Sequence, residues 1–196
     1  MKNRIILAAV LLGSQLAFAS SALDELNPED QAKVKNGEQV TNTQPGEGSA
    51  WPQIWVYQRV EATPEESMAM FSDQDRQSEY IPDLIYSKIS KKIDKATCEV
   101  GYTIATHVFL HPKENYTMRN TVSAYEAGAS YRVDWKLVSD NQIRGSIGNA
   151  RFEALGTGTL IAYYSFITPP SLANGQAGKA ISGTQRSVKT IVERIE

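Results

Sequence analysis

The side chains able to do chemistry in this sequence are few and widely spaced. His107 and His111, its two histidines, stand four residues apart. On one extended strand that spacing separates them by about 13 Å, too far to share a metal ion, so both read as surface or structural residues. Cys98 has no second cysteine, which excludes a disulfide framework and a zinc site of clustered thiolates. In an oxidising compartment such a thiol reads as buried and unpaired. Asp24, Glu25, Glu29 and Asp30 cluster, but at the start of a helix carboxylates complement the backbone dipole rather than forming a catalytic pair. Arg119 and Arg151 would bind an acidic headgroup if turned inward, and read as exposed strand arginines otherwise. No Gly-x-Ser-x-Gly elbow, phosphate loop or His-Glu-x-x-His motif is present. Gly156-Thr157-Gly158 lacks the following helix that a dinucleotide loop requires. What is left for chemistry is a set of tyrosines, among them Tyr102, Tyr116 and Tyr163. No metal, no cofactor and no assigned catalytic residue is expected.

The composition fits this poverty of reactive groups. A chain of 196 residues, 41% hydrophobic and 21% charged, suits one ordinary globular domain. Its 20 Lys+Arg against 22 Asp+Glu argue against nucleic acid as a partner, since nucleic-acid binders carry a basic surplus. The first residues are of a different kind. Lys2 and Arg4 precede an apolar run from Ile5 to Leu12, and Ala17-Phe18-Ala19 is a small-x-small cleavage site. This is the pattern of a secretory signal peptide over residues 1–19, cut after Ala19, with Ala22 as the second candidate. The run from Ile5 to Ala19 is shorter than the roughly 20 apolar residues a membrane span needs. Losing Lys2 and Arg4 takes the net charge from −2 to −4. The expectation is a soluble, exported protein, periplasmic or secreted.

The elements that must position any site follow from periodicity. Residues 20–37 form an N-terminal segment with one short helix: Asn27 caps it, Pro28 takes the first helical position and Gly37 ends it. Glu38 to Thr43 and Trp51 to Glu61 read as strands. Thr63-Pro64-Glu65-Glu66 opens a helix with a capping box, and Pro82 stops whatever helix includes Tyr80. From Ile85 onward the rhythm changes to alternation. Ile85, Ile89 and Ile93 share one parity, as do Val100, Tyr102, Ile104 and Val108. The same holds for Tyr116, Met118, Val122 and Ala124, and for Tyr131, Val133, Trp135 and Leu137. Turn signals at Lys95-Ala96, His111-Pro112-Lys113, Ala127-Gly128 and Asp140-Asn141 make these runs an antiparallel meander with one buried face. Two further strands, Gln142 to Leu155 and Thr157 to Thr168, follow. Ile143 and Ile147 break parity with Ala150, Phe152 and Ala154, which predicts a bulge near Gly148. Beyond Pro169-Pro170, Ala173, Ala177, Ile181, Thr184, Val188, Ile191 and Ile195 fall on one helical stripe. Gly175, Gly178 and Gly183 in that stretch imply a late start, a kink or a close approach.

One strand, short helices, about six meandering strands and a long last helix form an α+β order in which a curved antiparallel sheet wraps around the C-terminal helix. This order resembles the helix-grip fold of the START-like (SRPBCC) superfamily over residues 38–196. Val60-Glu61-Ala62-Thr63-Pro64-Glu65-Glu66 is similar to that family's strand-to-helix phrase. Glu79-Tyr80-Ile81-Pro82-Asp83-Leu84 is similar to the phrase before its second strand, and Gly156-Thr157-Gly158-Thr159-Leu160-Ile161-Ala162-Tyr163 to its final hairpin. The helix at Asn27 to Gly37 is extra to the minimal fold, a prelude found in secreted bacterial members.

The resemblance implies a cavity for a hydrophobic or amphipathic small molecule, oriented by a few polar groups. Strand parity then selects Tyr102, Ile104, Tyr116, Met118, Val133 and Trp135 as inward residues of the sheet, faced by Ile181, Thr184 and Val188 from the helix. The alternative for each is plain core packing. Asn120 and Thr106 share the parity of their apolar neighbours and are buried polar candidates. Three functions remain open. The first is an exported, monomeric carrier of lipid or another hydrophobic ligand, with transient membrane contact. The second is a polyketide cyclase or dehydratase-like enzyme, which needs a pocket tyrosine (Tyr102, Tyr116 or Tyr163) beside a charged partner. The third is a ligand-free interaction module, which needs a large exposed apolar patch.

Overall fold

Eight strands pair antiparallel in one sheet in the order β1-β2-β8-β7-β6-β5-β4-β3. They are β1 Val40–Gln44, β2 Gln53–Val60, β3 Leu84–Lys92, β4 Thr97–Val108, β5 His111–Glu126, β6 Ser130–Asp140, β7 Gly145–Leu155 and β8 Gly158–Thr168. The described residues also form three α-helices: α1 Pro28–Lys35, α2 Pro64–Phe71 and α3 Ala177–Ile195. The computed structural model describes residues 21–108, 111–126, 129–140 and 143–196, with backbone alone at 107, 108, 111, 125, 126, 140 and 172. The expected signal peptide, residues 1–19, lies outside the described residues. Among them no helix is long and apolar enough to cross a membrane.

The local signals behave as their chemistry requires. Asn27 Oδ1 accepts from the Asp30 N–H at 3.0 Å, and Gly37 follows α1 with φ +86°. Thr63 and Glu66 close the full capping box at the start of α2. β7 and β8 are joined through Gly156 and Thr157, with Leu155 opposite Gly158 and Gly156 at φ +64°, the left-handed conformation a tight hairpin needs.

Three expectations are corrected. Ile85 and Ile93 do not share the inward face with Ile89; both are exposed, whereas Leu84 and Ser87 are buried. Register shifts between Leu84 and Tyr86 and between Ile89 and Lys91 reset the alternation, because a bulge sends the following side chains to the other face. No bulge occurs at Gly148, which pairs in register with Trp135 on one side and Ser165 on the other. Ile147 instead faces outward, and Gly148 is required because a Cβ there would collide with the Trp135 ring and the Tyr164 carbonyl. Finally, His111-Pro112-Lys113 is the start of β5 rather than a turn, and His111 pairs with Val108, so the two histidines stand on different strands.

Of the three readings of the glycines near the C-terminus, the late start is the one found. A 3-10 turn, Ser171–Gln176, precedes α3, and a Cβ at Gly175, Gly178 or Gly183 would meet nothing. α3 lies along β2 and against α2, while α2 covers β6, β7 and β8. Val188 seals α3 onto Ile54 and Val56. Ile191 and Val192 join Phe71, Val133, Phe152 and Ile161 in the largest buried group.

The N-terminal segment packs on the opposite, outer face. Ala22, Leu26 and Val34 bury Tyr57, Leu160 and Ala162 there. Glu25 accepts from the Tyr57 hydroxyl at 3.0 Å and pairs with Arg151 at 2.7 Å, and Glu153 receives the Ser21 hydroxyl and the Ala22 N–H. Arg119 also faces outward, paired with Glu99 at 2.7 Å. Both arginines are thus strand arginines of the outer face.

Candidate functional site

On the concave side, buried side chains form three groups that do not merge. One lies under α2 and the end of α3 around Phe71, Val133 and Phe152. The second holds Leu84, Val100, Tyr102 and Met118 on β3–β5. The third is the contact of α3 with β2. The helix reaches the β3 side of the sheet through polar bridges, Arg186 to Asp83 and Arg194 to Glu79, each at 3.1 Å. Trp135 borders the first and second groups, and Tyr163 borders the first and third. Their rings lie 5.0 Å apart, tilted by 40°.

The eleven expected cavity residues divide accordingly. Val133, Val188, Met118 and Tyr102 are buried within those groups, and so is Asn120. Ile104, Tyr116, Trp135, Tyr163, Ile181 and Thr184 are only partly covered. Tyr116 stacks on Tyr102 at 5.3 Å. Burial pushes the Tyr116 and Tyr163 phenols up, and the neighbouring Tyr163 adds to the rise at Tyr116. Both rings keep part of their surface uncovered by protein atoms. Thr184 spends its hydroxyl on the Ala180 carbonyl of its own helix, at 2.9 Å.

The polar groups of this face are specific. The Tyr102 hydroxyl lies 2.7 Å from Gln74 Oε1 and 2.9 Å from Gln77 Oε1, both on the 3-10 turn Gln74–Glu79. That turn is itself pinned, by the Gln77 amide to the Phe71 carbonyl at 2.9 Å and by the Ser87 hydroxyl to the Gln74 carbonyl. Burial raises the Tyr102 pKa first, and Tyr116 adds to the rise. Asn120 Nδ2, Glu114 Oε1 and the Tyr80 hydroxyl are buried without a hydrogen-bond partner. Desolvation lifts the Tyr80 phenol, with Asp73 adding to it. Cys98 is free and partly buried, its thiol pushed up by desolvation, so it is a poor nucleophile.

Glu114, Gln74, Gln77 and Tyr80 did not emerge as site residues from the sequence. Glu114 carried a usable signal, sharing the parity of Tyr116 on an uninterrupted register. The two glutamines carried none, because their turn has no apolar period. Two open grooves are present, one of about 380 Å³ lined by Tyr86, Thr103 and Ser139 together with Tyr102 and Tyr116, and one of about 340 Å³ on the outer face beside Trp55, Arg132 and Tyr164. The exposed apolar residues fall in separate places, Ile85 and Tyr86 on the edge strand β3, and Val138 and Ile147 on the central strands β6 and β7.

This architecture is the helix-grip, START-like fold. It is shared with the STAR-related lipid transfer protein of Xanthomonas axonopodis at TM-score 0.68 and 14% identity, covering 80% of this chain and 93% of that one. Human StAR-related lipid transfer protein 5 matches at TM-score 0.63 and 13% identity, over 81% and 83% of the two chains. An aromatase/cyclase from Streptomyces matches at TM-score 0.58 and 7% identity, over 73% and 92%. No protein-family model and no curated protein sequence matches the chain.

Proposed function

We propose that this protein is an exported carrier that binds a lipid or another hydrophobic small molecule between the concave face of the sheet and α3. The observation that carries the reading is the set of partly covered side chains, Ile104, Tyr116, Trp135, Tyr163, Ile181 and Thr184, between three separate buried groups. Apolar and aromatic walls with a few unspent polar groups are what small-molecule cavities are made of. Two of the structural neighbours are named as lipid transfer proteins, which supports the same reading. The cyclase reading needs a charged partner at a pocket tyrosine. Tyr102 is tied to two neutral glutamines instead, and the acidic residue nearest Tyr116 along its strand, Glu114, makes no hydrogen bond to it.

Export follows from the three-part leader. Cleavage after Ala19 agrees with the fully buried Ala22 and its N–H bond to Glu153, contacts that cleavage after Ala22 would remove. The carrier acts as a monomer and meets membranes transiently to load and unload. Native mass spectrometry of protein purified without detergent tests this directly. The expected spectrum shows a polypeptide beginning at Ser20 with a bound mass in the lipid range. A bare polypeptide that gains nothing after incubation with a lipid extract would overturn the carrier reading.

A further inference from the structure

Resting on the carrier reading, we propose that the ligand carries a hydrogen-bond-donating polar end, a hydroxyl or an ammonium group, received by the Glu114 carboxyl. β5 pairs with β4 without interruption from Lys113 opposite Ala105 to Thr121 opposite Thr97. Over that stretch side chains alternate strictly, so Glu114 must share the concave face with Tyr116, Met118 and Asn120. Its cross-strand partner is the apolar Ile104. Glu114 is 6% exposed, its Oε1 has no hydrogen-bond partner, and no ion pair reaches it among the described residues.

A buried carboxyl oxygen with nothing donating to it costs stability, and proteins keep such groups where something else completes them. What completes this one has to bring a proton on oxygen or nitrogen and has to fit an apolar surround. Tyr116 stands two residues on along the same face, about 7 Å away between backbones, and its hydroxyl has no partner among the described residues. Burial keeps that phenol protonated. A hydroxyl head can therefore donate to Glu114 while accepting from Tyr116, and an ammonium head can donate to Glu114 alone. An ionised fatty-acid head is acceptor-only and satisfies Tyr116 but not Glu114. The site thus selects by head group at equal chain length, discriminating against free fatty acids.

The test uses the mature, delipidated protein loaded with Nile red and displaced by three ligands of one chain length: hexadecanol, hexadecylamine and palmitate. The alcohol and the amine are expected to displace the dye at concentrations about tenfold or more below palmitate, the advantage of completing a buried acceptor that otherwise lacks a hydrogen bond. Glu114→Gln is expected to shrink that preference to within about threefold while retaining dye binding. Glu99→Gln, on the outer face, is expected to leave it unchanged. Equal affinities, a palmitate preference, or a preference that survives Glu114→Gln would overturn the proposal while the carrier reading stands. Failure of the dye and all three ligands to bind would overturn the carrier reading and this inference with it. The wild-type series decides the head-group preference even if the glutamine variant fails to fold.

Discussion

Replacing Gly148 by alanine is expected to disturb both the sheet and the interior it encloses. The added methyl would sit closer to the Trp135 ring and to the Tyr164 carbonyl oxygen than real Cβ atoms come. The carbonyl belongs to the β8 backbone and cannot swing aside, so the indole and the local strand must give way. Overpacking of this kind costs about 1–3 kcal/mol. Removing a glycine from a strand returns roughly 0.5–1 kcal/mol. The net loss, up to about 2.5 kcal/mol, corresponds to a fall in melting temperature of up to roughly 10 °C for a chain of this size. The displaced ring moves toward Tyr163, its neighbour at 5.0 Å, and so into the space offered to ligand. Thermal melts followed by circular dichroism and tryptophan emission read both effects, with Nile red affinity as a third observable. Gly101→Ala is the control, since its Cβ would meet only the Lys88 carbonyl at 3.9 Å, and it is expected to be neutral or slightly stabilising. A Gly148→Ala protein with unchanged melting temperature and emission would refute the close approach of Trp135.

Thr184→Phe is expected to fill the interior and weaken ligand binding by tenfold or more with little loss of stability. If the interior were tightly packed, the same change would instead cost about 1–3 kcal/mol in a urea melt. Tyr102→Phe leaves the Gln74 and Gln77 carbonyl oxygens without their shared donor and should cost about 1–3 kcal/mol by urea denaturation, with an unchanged m-value. Thr63→Ala removes one arm of the capping box and should cost about 1 kcal/mol near neutral pH. Hydrogen bonds from Thr63 hold the Glu66 carboxyl below its ordinary 4.5, so the part of the box made by that carboxylate is complete above that value and lost as pH falls through the lower folded one, while the bond from the Glu66 N–H to the Thr63 hydroxyl persists. The wild-type advantage over Thr63→Ala should accordingly narrow in melts below about pH 4, and a constant gap would count against the capping box.

What the sequence made legible was everything governed by local chemistry. The capping residues Asn27 and Thr63, the hairpin glycine Gly156 and the amphipathic stripe of α3 each act within a few residues of chain, and each stands where its chemistry puts it. The meander of β4, β5 and β6 was readable because one face meets apolar partners and the other meets water. Parity failed where pairing, not composition, sets the face. The bulges that turn Ile85 outward depend on β4, and Gly148 yields to a ring on β6. Candidate cavity residues were chosen by face alone, and face does not say whether a side chain is enclosed by others. Val133 and Val188 are completely enclosed while Trp135 and Tyr163 are not, a difference set by where α2 and α3 come to rest. Glu114 was passed over because a carboxylate in a strand is ordinarily a solvent-side residue. The docking of Ala22, Leu26 and Val34 on the outer face was equally hidden, since the partners lie more than a hundred residues away on β8 as well as nearby on β2.

A crystal structure of the protein purified without delipidation examines the interior most directly. Continuous non-protein density bounded by Tyr116, Trp135, Tyr163 and Ile181 is the expected result. Interdigitated rings at those positions, with neither density nor room for a small organic molecule, would contradict the carrier account.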